Sequence, residues 1–438
     1  MIFEVFHLLA CAAVLTGAFY VPLNKRNANS LSEIPIYYKN VCKVEANKKG
    51  GDDVPEILKQ ANKCNGGGAL VFDTEDYLIK SPLNLTGFEN LDIYIAGNIS
   101  LYDDPDYWQD KLLLIEYQNS STAITIGGTN VNLYGLPGHV IDGKGQNWWN
   151  KFNNKKNQNF YRPILLVFDG LVNGVVDGLN LLNSPNWFNL IANSSGVAYT
   201  NTNIDVYTVN DNDFYNTDGW DSYRTSNLIV ENATINNGDD CFSFKPNSTN
   251  IILNNLYCNG SHGISVGSIG QYYGVTDIVE NVIVNNVTMS NADYGARLKT
   301  WAGRPANSSK TDAGGGLGYV RNVYFSDFTV ENVGQSIYVT QCYSAGSLAT
   351  CYEYPSSLVM SNVFFTNFNG TTSGKYDEAG TMVCSSPSVC YDFFTKHIDV
   401  VNKKNASDTF FICSNLGDSE LSVSCVNSTS QGGLNNGL

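Results

Sequence analysis

Four short clusters of charged and polar residues follow one another along the chain. They are Asn216-Thr217-Asp218, Gly238-Asp239-Asp240, Gly260-Ser261-His262-Gly263 and Arg297-Leu298-Lys299. Three carboxylates and an imidazole supply what acid-base catalysis needs, one group to give a proton and another to take one. Paired carboxylates do this work when a glycosidic bond is cut. An Arg and a Lys nearby suit a substrate with carboxylates of its own, because both donate charge-assisted hydrogen bonds to such groups. Each cluster alone has a plainer reading. Asn-Thr-Asp-Gly is a common turn, Gly-Asp-Asp is frequent in loops, and a His between glycines is more often a structural hydrogen-bonder. Arg297 and Lys299 fit two surface charges on one strand face. The ordered co-occurrence is what points to a site.

Such residues act together only if the fold stacks them. A phrase of Asn followed by alternating apolar residues recurs at Asn203, Asn227, Asn250, Asn281, Asn322 and Asn362, at intervals of 24, 23, 31, 41 and 40 residues. Periods of this size mark solenoids or propellers. Short β runs with Asn or Gly at the corners favour an all-β parallel β-helix, with Asn side chains laddering between coils. The uneven intervals fit a propeller less well. Counted from the Asn opening each coil, Asp218 stands at +15, Asp239 and Asp240 at +12 and +13, His262 at +12 and Arg297 at +16. Similar offsets in coils about 4.8 Å apart stack on one face, which gathers the carboxylates, the His and the cations into one patch. Three clustered Asp residues cannot all ionise cheaply. One is expected to keep its proton above the ordinary carboxylate range and so be able to act as acid, with an acid pH optimum following. The best helix signal is Asp52 to Cys64, with Asp53 as a cap, Pro55 in the first turn and Ile57, Leu58 and Ala61 on one face. It would close one end of the solenoid.

Composition narrows the class. Only 15% of the 438 residues are charged and the formal net charge is −15, from 41 acidic and 26 basic residues. That balance argues against nucleic-acid binding, which needs a basic field. Residues 1–18, with an apolar run from Phe3 to Phe19, read as a signal peptide. Residues 19–26, ending in Lys25-Arg26, read as a propeptide, and 27–438 as one domain with no linker. A secreted, extracellular chain free of membrane in its mature form follows. Ten cysteines remain once Cys11 is removed, an even number that favours disulfides. Spacing suggests local pairs: Cys42 with Cys64, Cys241 with Cys258, Cys342 with Cys351, Cys384 with Cys390, and Cys413 with Cys425. Twelve glycosylation sequons fit a secretory route: Asn84, Asn98, Asn119, Asn193, Asn232, Asn247, Asn259, Asn286, Asn307, Asn369, Asn405 and Asn427. No Cys or His spacing supports zinc, no cofactor is implied, and a solenoid that supplies its own core is expected to be a monomer.

The clusters, read with their neighbours, resemble glycoside hydrolase family 28. The phrases are Asn216-Thr217-Asp218-Gly219-Trp220-Asp221, Gly238-Asp239-Asp240-Cys241, Ser261-His262-Gly263-Ile264-Ser265-Val266-Gly267-Ser268 and Arg297-Leu298-Lys299, with Ile141-Asp142-Gly143 before them and Gln341-Cys342-Tyr343 after. The resemblance spans roughly Val41 to Thr395. It implies a single-stranded right-handed parallel β-helix and inverting hydrolysis of α-1,4-linked galacturonic acid in pectin (polygalacturonate). By it Asp239 is the general acid, Asp218 and Asp240 hold and deprotonate the water, and His262 tunes the acid. Arg297 and Lys299 bind galacturonate carboxylates, and Tyr343 positions the sugar. Phrases such as Cys241-Phe242-Ser243-Phe244-Lys245-Pro246-Asn247 look most like fungal exopolygalacturonases. Room for groove-closing loops lies around Trp301 to Gly318 and Tyr343 to Ser356. An endo-acting enzyme, or a rhamnogalacturonan or xylogalacturonan hydrolase, is the runner-up. A lyase would need a basic residue, often with calcium, and a non-catalytic wall protein binding carbohydrate would be expected to have lost one of the Asp positions.

Overall fold

The recurring Asn residues stand where the backbone must turn through the left-handed region, a conformation Asn tolerates better than other side chains. Asn227, Asn250, Asn281, Asn322 and Asn362 all have φ between +55° and +57°. From Asn250 on, each amide donates through Nδ2 to Oδ1 of the Asn one coil earlier, at 3.2, 2.9, 3.0 and 2.6 Å along the column. A second column at another corner runs Asn236, Asn259, Asn291 and Asn332. The computed structural model describes residues 38–154, 159–210, 212–305 and 307–427, with Ser30, Leu31 and Ile34. The expected signal peptide and propeptide lie outside the described residues.

Asn203 does not belong to the first column. Val197 pairs with Leu228, so Gly196, with φ +70°, takes the corner above Asn227, while Asn203 pairs with Thr234 on the next face. Glycine reaches the same left-handed turn at no steric cost, which hides that corner from a search for Asn.

Between corners the strands run parallel, each paired with the coil before and after. Thr225–Asn236 pairs with Ser248–Asn259, then come Thr276–Ser290, Leu317–Val333, Leu358–Thr372 and Cys390–Val401. Inward residues stack in register: Leu228, Ile251, Val282, Val323, Val363 and Phe393 form one fully buried column. Burying each such side chain stabilises the fold by about 2 kcal/mol before chain entropy is counted. Phe328 and Phe368 stack nearly coplanar, centroids 4.6 Å apart, so the interior repeats like for like. One apolar cluster runs from Cys42 to Phe411. The chain is thus a right-handed parallel β-helix, and antiparallel pairing among the described strands is confined to Leu113–Ile115 with Ser120–Thr122.

Helix α1 (Val54–Cys64) packs Val54, Ile57, Ala61 and Cys64 against the first coils, and Leu58 is half-buried beside them. Asp53 does not cap it by side chain. Its carboxylate instead accepts from the backbone of Asn47 and Leu78, both at 2.6 Å, tying the loop before the helix to a later strand. Five disulfides join Cys42–Cys64, Cys241–Cys258, Cys342–Cys351, Cys384–Cys390 and Cys413–Cys425. None of the twelve sequon asparagines is buried. Among the described residues no helix is long and apolar enough to cross a membrane.

Candidate active site

Five strands carry the site: β1 (Trp220–Tyr223), β2 (Phe242–Phe244), β3 (Ile264–Ile269), β4 (Tyr294–Trp301) and β5 (Gln335–Tyr343). Their register aligns Trp220, Phe242, Ile264, Ala296 and Ile337, all in the core. Asp218, Asp240 and His262 each stand two residues before this column and therefore stack. Side-chain alternation turns the next residues outward, which aligns Asp221, Ser243, Ser265, Arg297 and Tyr338. Two residues further, Lys245 and Lys299 fall on one line through Gly267. The tight passage at His262 needs glycine after it: Gly263 has φ +108°, and a Cβ there would lie 2.9 Å from Gly295 O.

Asp240 is buried among cations. Lys299 Nζ lies 2.9 Å from its Oδ2, Arg297 Nη1 3.7 Å from its Oδ1, and Ser265 Oγ donates to Oδ1 at 2.7 Å. Burial alone would raise its pKa, but Lys299, Arg297 and Lys245 outweigh burial and hold it well below the ordinary carboxylate range. Asp218 is as deeply buried without such partners, and its Oδ1 accepts no hydrogen bond. Burial, then the negative charge of Asp239, push its pKa well up. Of the three carboxyls, Asp218 is thus the one whose surroundings most favour the protonated form.

Asp239 is the most accessible of the three, with 16% of its side chain exposed. Its Oδ1 faces His262 Nδ1 at 3.0 Å and accepts from the Asp240 backbone N–H at 2.8 Å, while Asn216 Nδ2 reaches Oδ2 at 3.4 Å. Burial pushes this carboxyl up, yet the His262 hydrogen bond and charge bring the balance below the usual value. The same pairing lifts His262 above an ordinary imidazole, against its burial. On its far side His262 Nε2 lies 3.6 Å from Asp293, which Lys375 holds at 2.9 Å. Donor atoms of Asp239, Asp240 and His262 come within 4.8 Å of one another. With Lys299 and Arg297 already beside Asp240, a metal cation there would meet like charge.

Arg297 is buried, its guanidinium 4.5 Å from the Tyr294 ring centre and 5.8 Å from that of Tyr338, the two rings lying side by side with centroids 4.6 Å apart. Tyr343 is half-buried and packs edge-on against Trp301, centroids 5.6 Å apart. The loops after β4 and β5 are joined, since Gly303 N–H donates to Tyr354 O at 2.9 Å and Ser356 Oγ to Trp301 O at 2.8 Å.

Four charged groups at this face were not singled out from sequence. Lys245 Nζ forms an ion pair with Asp221 at 3.1 Å, although neither Asp221 oxygen has a well-directed hydrogen bond. Burial raises the Asp221 pKa to about 7 despite Lys245. Counting strand positions from Lys299 would have found Lys245. Asp293 and Arg162 gave no such signal: one precedes its strand by a residue and the other arrives from a loop.

The family description Glycosyl hydrolases family 28 matches residues 97–425. Exopolygalacturonase X-1 of Emericella nidulans is 46% identical over 391 residues, covering 89% of each chain. Exopolygalacturonase X of Aspergillus niger is 45% identical over 388 residues, covering 88% of each chain. Among solved structures, endo-xylogalacturonan hydrolase from Aspergillus tubingensis superposes with a TM-score of 0.77 at 30% identity, over 89% of this chain and 99% of its own. By that match over most of its length, and by relatives nearly half identical to it, the chain belongs to glycosyl hydrolase family 28.

Proposed function

We propose that this chain is a secreted, inverting exopolygalacturonase that releases galacturonic acid from the ends of pectic chains. The relatives named exopolygalacturonases carry the exo reading, and the five disulfides suit the oxidising space outside the cell. The single observation that favours hydrolysis is the division of labour among three stacked carboxyls. Asp240, held ionised, can take a proton from water. Asp218 can orient that water by hydrogen bond. Asp239, the one that reaches solvent, can protonate the leaving glycosidic oxygen. A seated sugar would displace water from Asp239 and bring another carboxylate near, and both effects raise its hold on a proton. His262 steadies Asp239 through Oδ1 and leaves Oδ2 for the substrate.

Arg297 and Lys299 would receive a galacturonate carboxylate, with Tyr343 and Trp301 bounding the sugar. The enzyme acts as a monomer, because its coils bury their own apolar faces. A xylogalacturonan preference is the second reading, favoured by the superposition on the Aspergillus tubingensis hydrolase. Product analysis on polygalacturonate separates them. Galacturonic acid alone, with slow loss of viscosity and an inverted anomer by NMR, is the expected result. A ladder of oligomers would make the enzyme endo-acting, and turnover only on xylose-substituted chains would give the second reading. Full activity in Asp239→Asn would remove the acid assignment.

A further inference from the structure

Asp239 has two oxygens in unlike surroundings. Oδ1 is taken by His262 and the Asp240 N–H, whereas Oδ2 meets Asn216 Nδ2 at 3.4 Å. An amide can present either its oxygen or its N–H₂ to a carboxyl, and the two choices have opposite consequences for the proton. The choice at Asn216 is made by a residue on the far side. Arg162 Nη2 donates to Asn216 Oδ1 at 2.6 Å, while its Nη1 donates to Tyr215 O at 2.8 Å and Pro185 O at 3.2 Å. The guanidinium carbon also lies over Phe152, 3.8 Å from the ring centre. Arginine only donates, so the Asn216 oxygen must turn toward it and the N–H₂ toward Asp239.

We propose that Arg162 is a positioning residue for proton delivery: it locks the Asn216 amide so that one lone pair of Asp239 Oδ2 is filled and the acid proton points into the cleft. This rests on Asp239 being the acid. Other charged groups also face Asp239: His262 across Oδ1, with Asp293 behind it, Asp240 beside it in the chain, Lys299 from a later coil, and Asp218 and Asp221 from the preceding one. Arg162 approaches from the opposite side to Lys299 and Arg297 and feels both Asp218 and Asp239. Burial lowers the Arg162 pKa only to about 10, so it stays a cation throughout the working range.

The test compares Arg162→Gln, Asn216→Ala and the double variant for kcat and KM on polygalacturonate across acid to neutral pH. Each single change is expected to lower kcat by about tenfold, a part of what a well-placed acid contributes, with KM within about twofold. The double variant should be no worse than the more severe single one, because both act through one contact. The alkaline limb of the kcat profile should move upward in all three, since a cation and an N–H that favour ionised Asp239 are gone. If Arg162→Gln loses its fold by circular dichroism, Asn216→Ala, which leaves the bonds to Tyr215 and Pro185, carries the same predicted limb shift. A raised KM with kcat kept would make Arg162 a direct substrate ligand, and additive losses or an unmoved limb would sever the relay; each overturns the proposal. Asp239→Asn measured in parallel separates the two readings. If it is fully active, the acid assignment fails. If it is inactive while Arg162→Gln is silent, only the relay fails.

Discussion

Asp218 and Asp240 occupy the same position in consecutive coils, equally buried, yet their surroundings push their pKa values in opposite directions. Asp240 looks onto the coils that supply Ser265, Arg297 and Lys299, and is ionised. Asp218 looks onto Asp239 and Asp221, and is pushed toward the protonated form. A solenoid makes the two backbones alike, so the difference comes from what the following coils donate. One residue type, repeated at one coil spacing, becomes both a proton acceptor and a retained acid.

The sharpest way to break that contrast is to remove the ionised member. Asp240→Asn is expected to lower kcat by about a thousandfold, or about 4 kcal/mol in barrier, and to lower the unfolding midpoint, because Lys299 and Arg297 are left buried without their carboxylate. Steady-state kinetics with a thermal melt checks both. Next in size is Lys245→Met, which leaves Asp221 without its cation and should cost about 3 kcal/mol at neutral pH. The loss should shrink in acid, where Asp221 takes a proton, and denaturant unfolding at two pH values reads the difference.

The third follows from the raised carboxyls. A carboxyl whose folded pKa exceeds its unfolded value stabilises the fold below the unfolded value and loses that contribution as pH rises. For Asp221 the loss begins above 3.8 and is complete once pH passes about 7, and Asp218 acts in the same direction. Asp240 contributes oppositely, its stability being lost only in strong acid. The melting temperature should therefore fall between mild acid and neutral pH, and a flat curve would contradict the Asp218 and Asp221 environments. The smallest effect lies away from the site: Asn281→Ala, exposing no charge, should cost about 1 to 2 kcal/mol for two ladder hydrogen bonds and a strained turn, with kcat unchanged.

Much of this was legible in the residues themselves. The Asn phrase found the corner at five of six positions, and the Asp, His, Arg and Lys clusters meet at one face. Asn203 misled because Gly196 makes the same turn without an amide. Asp53 was read as a cap although its carboxylate serves Asn47 and Leu78, a long-range use that no local motif encodes. Which Asp favours its proton was also hidden, since the answer depends on side chains one and two coils away. Arg162 stayed invisible because a loop brings it in from outside the repeat.

The unequal coil lengths have a consequence of their own. From Asn227 to Asn236, Asn250 to Asn259, Asn281 to Asn291 and Asn322 to Asn332 the chain hardly changes length. All the growth falls between the site strands and the next corner, which stretches successive coils from 23 to 31, 41 and 40 residues. From Asn227 onward insertions are thus admitted at one seam, beyond the site strands, and the amide column resets the path before the next turn begins, whereas the preceding coil carries its insertion ahead of the site strand, between Asp205 and Trp220. The walls of the cleft can therefore differ in length there while the stacked carboxyls keep their places.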